Sequence, residues 1–439
     1  MEAEPRLTTA QAAARLGVKP ETLYSYVSRG LLSSLRAASG PGSTFDPLDV
    51  EALARNRKRA RGAAAPAGAD MPGSPLMVID SPLTLIRDDR LYYRGVPADQ
   101  LARRYSFEDV ARWMWSGAAE PPGLPSHPAP SGEDRAGQFS ATAETLAAVA
   151  SACSALGPAA GTVDRLVQAL LCAGSRDPFR ADLSAGTVRA VGGPAVAAML
   201  AALGPAEPGS RAGDRATAGP GTEPPDGGSV AARLWAALSP LEPTAADIDA
   251  LNAALILVAD HDLAVSTLAA RAAASSRADP YAALIAALGA FAGPLHGSAS
   301  RSAAALLADT MAGGRPERAI TAQLAAGNGI PGFGHRLYRR RDPRAAVLLG
   351  ILEGEERFAA PVRAARQLAA VVASRTPHMP NIDLALAVLA VGGSMAPDAG
   401  QAAFAVGRTA GWLAHIMDEY SRRPLRLRPT GHYTGPAPN

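Results

Sequence analysis

The sequence predicts a mainly α-helical protein, on two observations. Apolar residues make up 48% of the chain while aromatics make up 5%. Much of the apolar share is alanine, in runs such as VAAMLAAL and VASACSAL, and alanine is the strongest helix former. From Leu234 to about Glu419 the apolar pattern is dense and helical. The 439 residues suffice for two or three domains with a substantial core.

The elements follow in chain order. TTAQAAARLG reads as a short helix that Thr8 caps, with Gln11 three residues on as in a capping box and Gly17 as the stop. VKPETLYSYVSRG is a second helix after a tight turn: Pro20 suits its first position, Leu23 and Val27 share a face, and Gly30 ends it. LLSSLRAASGPGSTF then gives two short strands about a Gly/Pro turn, and Asp46 and Pro47 open a third helix, DPLDVEALARNRKRA. Residues 1–62 thus form a winged helix-turn-helix pattern. AARLGVKPETLYSYVSRGLL resembles the short DNA-binding module of MerR and excisionase type. That resemblance implies that Lys19, Thr22, Tyr24, Ser25 and Arg29 face a DNA groove, with NRKRAR (56–61) adding phosphate contacts.

Residues 63–77 are a linker by composition. Two hydrophobic pieces around Arg87–Arg90 read as a hairpin, and SFEDVARWMWSG as a capped amphipathic helix. Two Pro/Gly-rich insertions, about 119–138 and 205–229, lack periodicity and are expected to be poorly ordered.

The net charge of +3 is too small for a nucleic-acid coat over the whole surface. Lys19 and Lys58 are the sole lysines among 43 basic residues, so beyond residue 60 there is no candidate lysine nucleophile or Schiff base. Cys153 and Cys172 lie in Ala/Leu-rich helical contexts and read as buried small hydrophobes. The start, MEAEPRLTT, is acidic and polar, unlike a secretory signal. YAALIAALGAFAGPL, taken as the longest weakly interrupted apolar stretch, falls short of the ~20 residues a span needs. A cytoplasmic protein without membrane contact is expected.

The chemistry points to three of the seven histidines. His127 lies in an insertion and His432 in the tail, but His261 (ADHDLAVST), His296 (AGPLHGSAS) and His335 (PGFGHRLY) have unusual settings. The last two have glycine beside them, where backbone can approach a ligand closely. An arginine-rich run, Arg336 to Arg344, follows His335 and suits an anionic ligand. None of the three has metal-ligand spacing with a second His or Cys, so no metal is expected.

GFGHRLYRRRDPR resembles the signature of the citrate synthase family, and LVADHDLAVSTLAAR, AGPLHGSAS, PNID and GRTAGWLAH are similar to its other motifs, in the family's order. SPLTLIRDDRLYYRGVPADQLA and RPTGHYTG resemble the opening and the end of bacterial members, so the resemblance covers about residues 78–439. It implies a homodimer of two helical domains, the larger discontinuous (78–296 and 389–439, with a C-terminal arm) and the smaller, 297–388, binding coenzyme A. It implies condensation of acetyl-CoA with oxaloacetate to citrate and CoA, the entry step of the tricarboxylic acid cycle, with the thioester as substrate and no cofactor.

Such a condensation needs a carboxylate at the acyl methyl group and a hydrogen-bond donor at the thioester oxygen together. On the resemblance, Asp383 matches the base, His296 the donor that stabilises the enol, and His335 the histidine that polarises and protonates the ketone of oxaloacetate. His261 matches a substrate-binding histidine. Arg344, Arg408 and Arg428 match the guanidiniums that hold the two carboxylates, the last reaching in from the neighbouring subunit. The Asn328–Gly334 loop (Asn328, Gly329, Ile330, Pro331 and Gly332 foremost) matches the coenzyme A loop, with Arg339 to Arg341 placed for its phosphates.

The chain departs from the family at several points. LALA follows Asp383 where Phe-Tyr-Ser-Gly is common, which leaves 2-methylcitrate synthesis from propionyl-CoA as an alternative. Ala264 and Ser300 stand where asparagines are usual, Val258 replaces a histidine, and Leu337 a valine or isoleucine. The helix-turn-helix leaves a further alternative, a metabolite-sensing DNA-binding regulator on the same scaffold. Retention of Asp383 favours the enzyme, since a sensor needs the arginines but no base.

Overall fold

The structure is a computed structural model that describes residues 6–36, 42–62, 78–118, 121, 139–204, 228–294, 296–325, 329–428 and 435. The turn at 37–41, the linker at 63–77, most of both insertions, Asn328, His127 and His432 lie outside the described residues.

The N-terminal unit begins with strand Leu7–Thr8. Helix Thr9–Leu16 follows, capped by Thr8 with Gln11 closing the capping box, and it stops at Gly17 in the left-handed region (φ 60°). Helix Pro20–Ser28 starts on its proline, and Gly30 (φ 68°) turns the chain out. Strands Ser34–Arg36 and Ser43–Phe45 pair antiparallel, and Leu7–Thr8 adds to the other edge of Ser43–Phe45 with Leu7 opposite Phe45. Asp46 Oδ1 accepts the amide of Leu48 (2.8 Å) as helix Pro47–Gly62 begins. Leu7, Leu16, Leu23, Phe45 and Val50 form this unit's own small core.

A second antiparallel sheet follows. Strands Thr84–Arg87 and Arg90–Tyr93 form the expected hairpin, and Val96–Pro97 adds a short third strand. Its two-residue turn holds Asp88 and Asp89 at φ 52° and 56°, the left-handed pair that suits tight hairpins. Helix Phe107–Ser116 is capped by Ser106 and stopped by Gly117, as its sequence signals.

The rest of the fold is helical, arranged around the helix Ala399–Tyr420, which is buried along most of its length. Helices Phe107–Ser116, Ala185–Leu203, Ala245–Leu257, Val265–Ser275 and Pro280–Phe291 surround it. Close approach needs glycine there: a Cβ at Gly407 would lie 2.7 Å from the carbonyl oxygen of Leu255. Ala185–Leu203 corrects one expectation, because by length and composition this 19-residue helix is apolar enough to cross a membrane. It exceeds the stretch singled out in the sequence, and two-thirds of it is buried inside the protein, packed on helices Thr162–Arg176, Ala143–Ser154 and Ala399–Tyr420. Cys153 and Cys172 are buried and free, as their contexts suggested. Ser229, the last residue assigned to the second insertion, caps helix Val230–Leu238.

The central helix ends in a buried charge network. Arg271 bonds Asp418 (2.7 Å) and Glu419 (2.8 Å), and Glu419 is also held by Arg426 (2.6 Å). Breaking one partner of a buried pair strands the others without water. Glu419→Gln is therefore expected to cost about 3–5 kcal/mol of stability, read by chemical denaturation.

Candidate active site

Two loops are stitched together by backbone hydrogen bonds, and this sets the geometry. The Gly334 amide donates to Met379 O (2.8 Å) and the Asn381 amide to Gly332 O (2.9 Å). Asn381 Nδ2 donates to Gly334 O (3.0 Å), while its Oδ1 accepts the amide of Asp383 (3.0 Å) and so caps the helix Ile382–Gly392. The turn that presents His335 and the helix start that presents Asp383 are thereby fixed to one another. Both glycines are required. Gly332 and Gly334 hold φ of 81° and 82°, and a Cβ on Gly332 would lie 2.9 Å from Leu384 Cβ, while one on Gly334 would run into the His378 ring. Gly332→Ala combines left-handed strain with overpacking against the residue after Asp383. A loss of about 2–4 kcal/mol in denaturant melts is expected.

A second bond set comes from Asp342, the N-cap of helix Pro343–Leu352. Its Oδ1 accepts from the amide and Nε of Arg344 (both 3.0 Å), and its Oδ2 accepts from Arg344 Nη2 (2.8 Å) and from the Ile382 amide (3.1 Å). One carboxylate thus orients the guanidinium and ties it to the helix of Asp383. Burial would raise the Asp342 pKa, but Arg344 beside it holds it below the usual range. Among the described residues, Arg344 Nη1 has no hydrogen-bond partner.

The imidazoles gather around this pair. The ring of His261 lies 5.0 Å from that of His335, and His261 Nε2 is 3.0 Å from the hydroxyl of Tyr338, whose ring in turn lies 4.6 Å from His335. His335 Nδ1 accepts the amides of Leu337 (3.0 Å) and Tyr338 (3.3 Å), which leaves its proton on Nε2. His296 Nε2 meets Ser266 Oγ (2.8 Å), and Ser266 Oγ accepts from Trp412 Nε1 (3.3 Å). When Ser266 donates its hydroxyl hydrogen in this bond, the neutral imidazole of His296 carries its own proton on Nδ1. Burial, aided by Arg408 for His296 and by Arg344 for His335, lowers both pKa values to about 4. Burial, with both arginines, puts His261 well below its ordinary value. All three rings are neutral at pH 7, and a neutral ring can donate one hydrogen bond and still receive its proton back.

Arg408, on the central helix, is fully enclosed. Its Nε donates to Val258 O (2.6 Å) and its guanidinium lies 4.7 Å from the Phe404 ring centre, but Nη2 is buried with no partner. Burial lowers its pKa to about 10, still charged at neutral pH. A buried, charged donor without an acceptor is costly unless a ligand supplies one. Asp383 titrates in the opposite sense: burial raises it to about 6, with Arg344 opposing and Asp342 adding to the rise. Arg408 acts electrostatically on His261 and His296, and Arg344 on His261, His335 and Asp383.

The remaining sequence-derived residues lie as follows. Gly329 is exposed, Pro331 half-buried, and the side chain of Ile330 belongs to the core, so at Ile330 the backbone is what a ligand would meet. Arg339 is exposed, and its amide and that of Arg340 donate to the Asp89 carboxylate (2.6 and 3.1 Å). Arg428 is exposed beyond the central helix and joins none of these contacts within the chain. On the N-terminal unit, Lys19, Tyr24 and Arg29 are exposed, and Thr22 and Ser25 half-buried, along helix Pro20–Ser28 and its ends.

Sequence reasoning missed Tyr338, Asp342, Asn381 and the support behind His261. There Asp260 is buried, accepts from Thr84 Oγ1 and His415 Nε2, and keeps Oδ1 without a partner. The spacing of Arg408 and His415 was a signal for the last, because residues seven apart share a helix face.

Imidazoles, guanidiniums and a carboxyl set in a helical scaffold define the site, and comparison with known proteins gives its family. Residues 74–430 match the family model described as citrate synthase, C-terminal domain. The chain belongs to the citrate synthase family. It is 37% identical over 196 residues to citrate synthase 2 of Bacillus subtilis and 32% identical over 204 residues to the citrate synthase of Thermoplasma acidophilum, in each case over less than half of this chain (43% and 44%). The matched stretch spans about half the length of those relatives (52% and 53%). The fold is similar to the crystal structure of citrate synthase from Thermotoga maritima (TM-score 0.66, 26% identity, 83% of this chain and 95% of that one). It is also similar to that of the Thermoplasma acidophilum enzyme in ternary complex with carboxymethyl coenzyme A and oxaloacetate (TM-score 0.67, 24% identity, 83% and 95%).

Proposed function

We propose that the chain condenses acetyl-CoA with oxaloacetate and water to give citrate and CoA. The observation that carries this reading is the pairing of a raised carboxyl, Asp383, with neutral His335 across two stitched loops, together with a buried guanidinium, Arg408, that lacks an anion and acts on His261 and His296. In this reading Asp383 takes a proton from the acetyl methyl group while His296 Nδ1–H donates to the thioester oxygen. The carbon so formed attacks the ketone of oxaloacetate, and His335 Nε2–H gives its proton to the ketone oxygen. Water then cleaves the thioester and releases the thiol. Arg344 Nη1 and Arg408 Nη2 hold the dicarboxylate, His261 bonds it too, and Arg428 would come from a second copy in a homodimer. Residues 297–388 would form the smaller domain, with the backbone at 329–332 and Arg339 meeting coenzyme A.

A thiol-release assay with acetyl-CoA or propionyl-CoA tests both the activity and the acyl preference. Oxaloacetate-dependent release is expected with acetyl-CoA. A higher kcat/KM with propionyl-CoA would instead assign 2-methylcitrate synthesis, and no release with either thioester would reject the enzyme.

A DNA-binding role for residues 1–62 is a separate part of the proposal, supported by the exposure of Lys19, Tyr24 and Arg29 along one helix. A mobility shift with the promoter of the chain's own gene at two salt concentrations is expected to show binding that weakens as salt rises. Absence of a shift at low salt would remove that role and leave the enzyme reading intact.

A further inference from the structure

The N-terminal unit is seated on the helices that lead into the site. Its helix Pro47–Gly62 packs on helices Pro316–Ala325 and Ala359–Arg375. Leu48 of that helix joins the main core, and Ala325 packs against the unit's own core. At the end of the other helix, Arg375 Nη1 lies 2.6 Å from Asp46 Oδ2 and 3.7 Å from Asp49 Oδ1.

Both docking helices lead, in sequence, into the stitched loops. Pro316–Ala325 ends four residues before Gly329, where the loop leading to His335 begins. Ala359–Arg375 ends four residues before Met379, whose carbonyl accepts the amide of Gly334. The unit therefore grips the chain just upstream of each of the two segments that present His335 and Asp383.

We infer that this seat couples the two ends of the molecule: occupancy of the 329–334 loop by coenzyme A and occupancy of the outer face of helix Pro20–Ser28 by DNA, as proposed above for residues 1–62, are linked, each altering affinity for the other. The inference rests on the reading of 329–334 as the coenzyme A loop. Leu23, on the inner face of helix Pro20–Ser28, belongs to the same small core that Ala325 packs against. A shift at the end of Pro316–Ala325 is thus passed to the helix that carries Lys19, Tyr24 and Arg29. The Arg375–Asp46 pair is partly exposed (side chains 45% and 22%), so the pair by itself adds little rigidity to this seat. Such coupling is reciprocal between the two binding events.

Hydrogen–deuterium exchange on the full chain, with and without coenzyme A, tests it. Coenzyme A is expected to slow exchange at 329–334 and also to change exchange within 47–62 by about fivefold. Arg375→Glu sets like charge against Asp46 and Asp49. It is expected to keep the first effect and lose the second, with Arg375→Lys restoring it. If Arg375→Glu unfolds the unit, seen as lost protection over 9–16, Arg375→Ala serves the same comparison. Protection at 329–334 with no change over 47–62 in the unaltered chain would overturn the coupling and leave the site reading standing. No protection at 329–334 would remove the coenzyme A loop, and the coupling with it.

Discussion

Asp383→Asn is expected to lower kcat for CoA release by about 10²–10⁴-fold, the usual worth of a positioned general base. Oxaloacetate affinity should hardly change, because the guanidiniums and not Asp383 meet its carboxylates. The wild-type pH profile carries the same signature. Asp383 accepts a proton only when ionised, and its pKa of about 6 puts an acid limb on kcat/KM that falls away below that pH. Stability moves the opposite way. An unfolded aspartate ionises near 3.8, so between that value and about 6 the folded chain keeps a proton that the unfolded chain has lost. Stability therefore declines as pH rises through this window, and at neutral pH the folded state carries the cost of a charge in a half-buried position. Asp383→Asn removes it. The variant is expected to be more stable at pH 7.5 by on the order of 1–3 kcal/mol, with the difference vanishing toward pH 4 in paired denaturant melts. A dead enzyme that is more stable than its parent distinguishes a functional charge from a structural one.

Arg408→Gln is expected to raise KM for oxaloacetate about 10²-fold, the equivalent of about 2–4 kcal/mol for removing one partner of a buried charge pair. Steady-state kinetics at saturating acetyl-CoA would read it. Glutamine keeps part of the stem against Phe404 but offers no charge. Arg344 does not substitute, because Asp342 already engages its Nε and Nη2. KM for acetyl-CoA should move far less, since Arg408 lies on the central helix and not on the 329–334 loop. If KM for oxaloacetate does not change, its carboxylates are bound elsewhere.

Much of this molecule was legible before any coordinates. The caps at Thr8, Ser106 and Asp46, the stops at Gly17 and Gly30, and the hairpin at Arg87–Arg90 are local, so residue types at short spacing suffice to place them. His296 and His335 stood out through their glycines, and all three histidines through motif context. What stayed hidden depends on contacts across long stretches of chain. Asp89 holds the backbone 250 residues later in sequence, and Thr84 meets Asp260 from 176 residues away. Asn381 read as one letter of PNID, yet its side chain bridges the loops of both candidate catalytic groups. Tyr338 looked like an ordinary aromatic after His335, and no periodicity marks a hydroxyl that meets a histidine 77 positions earlier. Of the apolar helix Ala185–Leu203 only the final VAAMLAAL stood out, because Arg189 and a glycine pair interrupt the pattern before it, although the helix runs unbroken through them.

The central claim is that His296, His335 and Asp383 converge on one acyl thioester while Arg344 and Arg408 clamp a keto diacid. The most direct measurement is a crystal structure of the chain with oxaloacetate and carboxymethyl coenzyme A. It should show His335 Nε2 within hydrogen-bond reach of the ketone oxygen, Arg408 Nη2 on a carboxylate, and the carboxymethyl group between His296 Nδ1 and Asp383. Ligands bound in a cavity that none of these five side chains touches would contradict the claim.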